Sequence, residues 1–193
     1  MSSKQVHRLL ESLKFFGILA LAVGWITIFI SIMLNPWFSF AKNALSDLGA
    51  LGQKYAFIFN SGLFIAGVLA SLYAVFLLYI SPGRLFSLAS SIFLLASIHL
   101  ILIAVFPEKT YPHLFVSLEF FILAGVSILF FGLSFLAQRE VKLGAFFTVL
   151  AIGGFILAAI VPWPSIATVE TFSICLMTIW ATLMLRRHLK QKI

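Results

Sequence analysis

Charged residues are scarce in this sequence. Only 10% of its 193 residues are Asp, Glu, Lys or Arg, whereas soluble domains carry about 25%. Hydrophobic residues make up 62% of the chain. A chain of this length cannot hide so much apolar surface in a core, because small proteins keep a large share of their surface exposed. The composition therefore excludes an ordinary soluble domain and indicates a protein solvated by lipid.

Cysteine is almost absent, since Cys175 is the single one and lies within an apolar run. One cysteine excludes an intrachain disulfide framework and a CxxC redox or zinc motif, and we expect Cys175 to be a small buried side chain. The net charge of +7 does not indicate nucleic-acid binding. The basic residues stand at the ends of apolar segments and do not form one face.

Long apolar runs dominate the remaining sequence. A helix crosses the hydrocarbon core of a membrane with about 20 residues, and turn or charge clusters divide the chain into six runs of that order. Backbone groups in lipid must be bonded within their own segment, so the runs are predicted to be helices. They lack the alternating polarity of β-barrel strands. We predict an all-α integral membrane six-helix bundle, a single transmembrane domain over residues 1–193 with spans at 15–34, 56–79, 85–105, 114–136, 145–161 and 169–185.

Lys and Arg predict the orientation of the bundle. Alternate segment ends carry ten of them on one side: Lys4, Arg8, Lys14, Arg84, Arg139, Lys142, Arg186, Arg187, Lys190 and Lys192. The other side carries three: Lys42, Lys54 and Lys109. Basic residues favour the cytoplasmic side. We therefore expect a plasma-membrane protein with both termini in the cytoplasm. On the cytoplasmic side, solvated side chains are expected for His7, Glu11, Glu140 and His188.

The other ionisable residues gather towards the predicted outer side: Asp47, His99, Glu108, His113, Glu119 and Glu170. His99 and Glu119 fall inside predicted spans. Ionisable side chains at such depth are costly, usually face the bundle interior or a watery cavity, and mark functional sites. A structural hydrogen-bond network that locks the helices together is the alternative interpretation.

The first outer loop, residues 35–55, contains a spaced polar motif. Asn43, Ser46 and Asp47 would share one face of a helical turn, and the apolar residues between them would cover the opposite face. We predict a short interfacial or re-entrant helix over the mouth of the bundle, with Gly49 as a candidate C-terminal stop. The alternative is a solvated loop in which Ser46 and Asp47 act as capping residues.

A weak internal repeat is also visible. The third and fifth predicted spans end alike, and each is followed by a span with one acid near its start, Glu119 or Glu170; Asn60 takes the corresponding place in the second span. This pattern predicts three helical hairpins that contribute polar groups to a shared site. Gly154 and Ala158, four residues apart, predict a close helix contact.

The six spans, the segment Asn43-Ala44-Leu45-Ser46-Asp47-Leu48-Gly49 and the later Phe106-Pro107-Glu108 followed by His113 resemble the DUF998 family of multi-pass membrane proteins. The resemblance covers most of the chain. It implies the fold and marks Asn43, Ser46, Asp47, Glu108 and His113 as positions to test. The family is of unknown function, so the resemblance implies no reaction.

Three classes of function fit this pattern. The first is a lipid-binding protein or accessory subunit of a membrane assembly, with membrane lipid and other membrane subunits as partners. Its binding residues would be Asn43, Ser46, Asp47, Asn60, Glu108 and Glu170. The second is a hydrolase of a lipid-like substrate at the outer leaflet, with catalytic candidates Ser46, Asp47, His99, His113 and Glu119. A divalent metal, its candidate cofactor, would be held by Asp47, His99, Glu108, His113 and Glu119. The third is a small transporter.

Overall fold

The computed structural model describes residue 5 and residues 10–190, and within them it contains helices and no strand. The six long helices are α1 (Phe16–Leu34), α2 (Ala56–Tyr79), α3 (Arg84–Val105), α4 (His113–Ala137), α5 (Val141–Ile160) and α6 (Ile166–Lys190). Each of the six belongs to a helical segment long and apolar enough to cross a membrane. The prediction of an all-helical multi-pass membrane protein is therefore confirmed.

Two helices extend further than the sequence predicts. Helix α5 begins at Val141 rather than at residue 145, and α6 covers Ile166–Lys190 rather than 169–185. The basic residues near these ends were expected to end the spans. Long basic side chains can extend away from an apolar surface while their backbone stays helical, so charge at these positions does not stop the helix.

Successive helices from α1 to α5 pack closely against one another, and α6 returns beside α1 to complete the ring. Helix α6 packs much more loosely than the other helices do, against α1 as well as against α4 and α5. The predicted hairpin of α5 and α6 is therefore not a tightly packed pair. We call the end that carries residues 35–55, 106–112 and 161–165 the loop end, and the opposite end the termini end.

An aromatic core fills the termini half of the bundle. The Trp180 ring lies 4.9 Å from that of Phe93 and 5.3 Å from that of Phe131, centroid to centroid. Phe135 and Tyr73 are also fully buried in this cluster. Large aromatic side chains bury much apolar area and hold well-defined geometries, so this half of the bundle is closely filled.

The C-terminal turn of α6 belongs to this core. His188 is 2% exposed, and its Nε2 lies 3.3 Å from the hydroxyl of Tyr73. The prediction that His188 is solvated was wrong. Trp180, Met184 and His188 follow one another at four-residue spacing, so His188 continues the buried stripe of the helix. Its counterpart in the N-terminal tail, His7, lies outside the described residues, as do Lys4, Arg8 and Lys192.

Arg187 is not a free tail residue either. Its guanidinium donates two hydrogen bonds to Glu140, at 3.0 and 2.6 Å, and lies over the ring of Phe135. These hydrogen bonds hold the pKa of the Glu140 carboxyl below its ordinary value. Glu140 was expected to be simply solvated, and instead it fastens the end of α6 to the α4–α5 connection.

Cys175 is exposed, not buried as predicted. It is nine residues from Met184, half a turn round the helix at 100° per residue, so it occupies the face opposite the buried stripe. An apolar run in a membrane helix faces lipid as readily as core, and the run alone does not separate the two.

Candidate functional site

A short 3-10 helix, Leu45–Gly49, is inserted into the loop end of the bundle. We call it the loop helix. Leu45 and Leu48 are 3% and 0% exposed and pack with Phe59 and other apolar residues of the helices beneath. Gly49 is the last residue of the loop helix, not the residue after it. A side chain there would collide with Asn60 and Phe59, so glycine permits this close approach.

Asp47 and Asn43 organise the loop internally. The Asp47 carboxylate accepts hydrogen bonds from the Ala44 amide at 2.9 Å and from the Asn43 side chain at 3.1 Å. The Asn43 side-chain oxygen accepts from the Ser39 amide at 2.9 Å. Asn43 precedes the loop helix and does not share a helical face with Ser46. Asp47 therefore serves as a local cap of the loop helix. The predicted short helix is present and is buried, so the alternative of a solvated loop holds only for the capping role of Asp47.

Ser46, Glu108 and His113 form a connected chain between the loop helix and the start of α4. The Ser46 hydroxyl donates to Glu108 Oε2 at 3.1 Å, and His113 Nε2 lies 2.9 Å from the same oxygen. The other ring nitrogen of His113 lies 2.8 Å from the Phe106 carbonyl. His113 is 4% exposed. The sequence segments with the family-like motifs thus meet in space.

Glu170 connects the loop helix to α6. Glu170 lies about one turn into α6, and its Oε2 accepts a hydrogen bond of 2.6 Å from the Leu45 amide. Two further bonds join the residues just before the loop helix to the start of α6 and the residue before it: the Ala167 amide donates to the Asn43 carbonyl at 2.9 Å, and the Ser165 hydroxyl donates to the Phe40 carbonyl. Helix α6 therefore begins against the backbone of the loop.

Asn60 and Glu170 both hold the loop helix, but Glu119 does not. Asn60 donates to the Gly49 carbonyl at 2.9 Å. Glu119 lies elsewhere and pairs with His99, whose Nε2 is 2.6 Å from its Oε2. The side chain of Glu119 is 38% exposed and that of His99 is 17% exposed. Two of the three residues of the predicted repeat therefore meet at one place, and the third belongs to a separate pair between α3 and α4.

The metal candidates are divided between these places. Among the described residues, no group of three or more His, Cys, Asp or Glu side chains is close enough to hold a metal ion. Ser46 donates to a carboxylate and not to a histidine. A serine nucleophile needs a base within hydrogen-bond reach, and the nearby His113 is occupied by Glu108 and Phe106.

A crevice with a volume of about 440 Å³ lies between α4, α5 and α6. Its lining is almost wholly apolar, and Glu170 stands among the few polar residues, with Ser117 and Ser173. Gly154 still approaches α6, since a Cβ there would lie 2.6 Å from the Leu176 side chain. Ala158, one turn nearer the loop end, lines the crevice together with Gly154. The sequence does not predict the crevice, because α6 has apolar residues on every side.

A smaller cavity of about 100 Å³ lies inside the ring and is lined by α1, α2, α3, α4 and α6. Trp180 contributes to its wall, and the indole nitrogen of Trp180 has no hydrogen-bond partner among the described residues. Among the described residues, the Ser31 hydroxyl is also buried without a hydrogen-bond partner. The cavity is apolar, and its lining has no polar cluster that would orient a ligand.

The comparisons with known proteins identify a family but no better-characterised relative. No curated protein and no solved structure matches the chain. The match of residues 18–187 to the sequence profile of a family described as protein of unknown function covers all six helices in whole or in part. The family's expected six-helix architecture is the one observed, and the chain belongs to the DUF998 family.

Proposed function

We propose that this protein binds a lipid-like amphiphile and holds its chain in the crevice between α4, α5 and α6. The observation that carries the proposal is the crevice itself, about 440 Å³ and almost wholly apolar, with a carboxylate near its loop end. Ligand sites in proteins have volumes of about 300–1,000 Å³ and combine apolar walls with a few polar groups.

The extent of the crevice supports an acyl chain as its occupant. On α4 its lining begins at Leu114 and ends at Ile128, a distance of about 21 Å at 1.5 Å per residue. One leaflet of a bilayer contributes about 15 Å of hydrocarbon, half of the total. The crevice therefore begins at the loop end, extends slightly past the bilayer midplane, and lies mainly in the leaflet at the loop end. In the orientation predicted from the basic residues, this would be the outer leaflet.

The termini half of the bundle supports binding rather than transport. The buried aromatic residues Tyr73, Phe131, Phe135 and Trp180 fill it. A transport path would have to part this cluster, whereas a ligand that enters from one leaflet would not. The hydrogen bonds of Ser46 and His113 likewise support a structural role for these residues over hydrolysis. A role as accessory subunit would add a protein partner to the same lipid-binding bundle.

Two substitutions on α5 test the proposal. Ala158→Phe places a ring in the crevice, whereas Ile156→Phe enlarges a residue that is 51% exposed and outside the lining. The probe is a photoactivatable C18 alcohol in phosphatidylcholine nanodiscs. Wild type and Ile156→Phe should be labelled on peptides of α4, α5 and α6, and Ala158→Phe should lose most of this labelling. Equal labelling of all three proteins, with equal thermal stability, would contradict the proposal.

A further inference from the structure

One carboxylate oxygen of Glu170 accepts a hydrogen bond from the protein, and the other accepts none from the described residues. Oε2 accepts the 2.6 Å hydrogen bond from the Leu45 amide. No described residue donates a hydrogen bond to Oε1, although Glu170 lines the crevice. The hydroxyls of Ser117 and Ser173 also line the crevice, and they donate hydrogen bonds to the backbone carbonyls of Leu114 and Val169. The polar end of the crevice is therefore an acceptor.

The surroundings of Glu170 are acidic. Both Asp47 and Glu108 lie close enough to interact electrostatically with it. Glu108 is paired with His113, but among the described residues neither Asp47 nor Glu170 forms an ion pair with a basic side chain. The lysines of the loop end do not neutralise them: in the described part of the chain Lys42, Lys54 and Lys109 form no ion pair.

We propose that the amphiphile bound in the crevice carries a primary ammonium head group, which donates to Glu170 Oε1 while a hydrocarbon chain of the same molecule lies between α4, α5 and α6. This inference rests on the proposed function. Complementary charge governs which partner a site selects, and charge-assisted hydrogen bonds are stronger than neutral ones. A carboxylate or phosphate head alone would be repelled by Asp47 and Glu170, neither of which forms an ion pair with a described basic side chain.

The test compares ligands that share the same hydrocarbon chain and differ in their head group. Photoactivatable C18 amine, C18 alcohol and C18 carboxylate, identical in their chains, are offered to the protein in phosphatidylcholine nanodiscs at low salt. The amine should bind about tenfold more tightly than the alcohol, as expected for a hydrogen bond to a charged group, and the carboxylate should bind least. Phosphatidylethanolamine then competes with the amine: displacement identifies an aminophospholipid as the source of the ammonium, and no displacement identifies a free long-chain amine.

Glu170→Gln should remove the preference for the amine, so that the amine and the alcohol bind with similar affinity. Glu119→Gln is the matched control, because this carboxyl belongs to a neighbouring span but does not line the crevice, and it should retain the preference. If wild type binds amine and alcohol equally while Ala158→Phe blocks both, the inference about the head is wrong and the lipid-binding function stands. If Ala158→Phe blocks neither, both fail. The comparison of wild-type affinities decides the question even where Glu170→Gln does not fold.

Discussion

His113 is held between a carboxylate and a backbone carbonyl, with Nε2 at 2.9 Å from Glu108 and Nδ1 at 2.8 Å from the Phe106 oxygen. His99 has the same arrangement, with Nε2 at 2.6 Å from Glu119 and Nδ1 at 2.8 Å from the Leu95 oxygen. A carbonyl can only accept a hydrogen bond. Nδ1 must therefore carry a proton in both histidines, and the bond to the glutamate requires a second proton between Nε2 and Oε2.

This geometry predicts the protonation pattern of both rings. Nitrogen NMR of protein labelled in histidine, in detergent or nanodiscs, should show Nδ1 protonated in His99 and His113. Replacing each histidine in turn assigns the signals. A neutral ring protonated at Nε2 alone, at either position, would contradict the hydrogen bonds described.

The loop helix should depend on the contact between Ser46 and Glu108. Ser46→Ala removes a hydrogen bond to a half-exposed carboxylate, and we expect the free energy of unfolding to fall by about 1–2 kcal/mol. Ser39→Ala is the control, since the Ser39 hydroxyl only accepts an exposed 3.3 Å bond from the Ala41 amide. Denaturation in a single detergent measures both. Equal effects of the two substitutions would mean that Ser46 does not anchor the loop.

Gly49 should tolerate no side chain. Its Cβ would collide with Asn60 and Phe59, and overpacking of this kind costs about 1–3 kcal/mol. We expect Gly49→Ala to lower the melting temperature and to expose the loop to protease. Gly153→Ala provides the comparison, because nothing lies within 4 Å of the added Cβ and alanine favours the helix. An unaltered melting temperature in Gly49→Ala would show that the loop helix is not seated as described.

The bond between Glu140 and Arg187 should make stability depend on pH in one direction. Because the pKa of Glu140 is lowered in the folded protein, the pair stabilises the fold above the unfolded carboxyl's pKa of about 4.3. That contribution is lost as the pH falls through the lower folded pKa. Glu140 is 36% exposed, so solvent screening limits the effect to about 1 kcal/mol or less.

Glu140→Gln should therefore be less stable than wild type at pH 7 and equal to it near pH 3, as judged by melting temperature. Added salt at pH 7 should narrow the difference, since screening weakens exposed charge pairs. A difference that persists unchanged at acidic pH would assign the effect to packing and not to the charge of Glu140.

The spans could be predicted because hydrocarbon imposes a simple rule on any chain that crosses it. Clusters such as Asn35-Pro36 and Ser81-Pro82-Gly83 end helices wherever they stand, and α1 to α4 agree with the expected ranges within one residue. The deviation at the termini end has a specific cause. His188 and Arg187 look like tail residues in sequence, but one continues a buried stripe and the other finds Glu140.

The loop motif was a partial guide to the site. Ser46, Glu108 and His113 do meet, and the spacing of Asn43 and Asp47 corresponded to a cap rather than to an exposed polar face. The crevice could not be predicted, because it arises from the loose packing of α6 against α4 and α5. Residues that line a crevice and residues that face lipid are both apolar, so the sequence does not distinguish them. Only the packing of the helices shows which residues line the crevice.

The bundle grips the loop through its main chain. Five peptide groups of the segment, those of Phe40, Asn43, Leu45, Gly49 and Leu51, exchange hydrogen bonds with residues beyond it. Attachment of this kind is indifferent to most side chains that the segment displays. A dye or spin label at exposed Phe40 or Lys42 would therefore stay attached to an ordered backbone. It would report the docking of the whole segment without breaking the backbone hydrogen bonds that hold it.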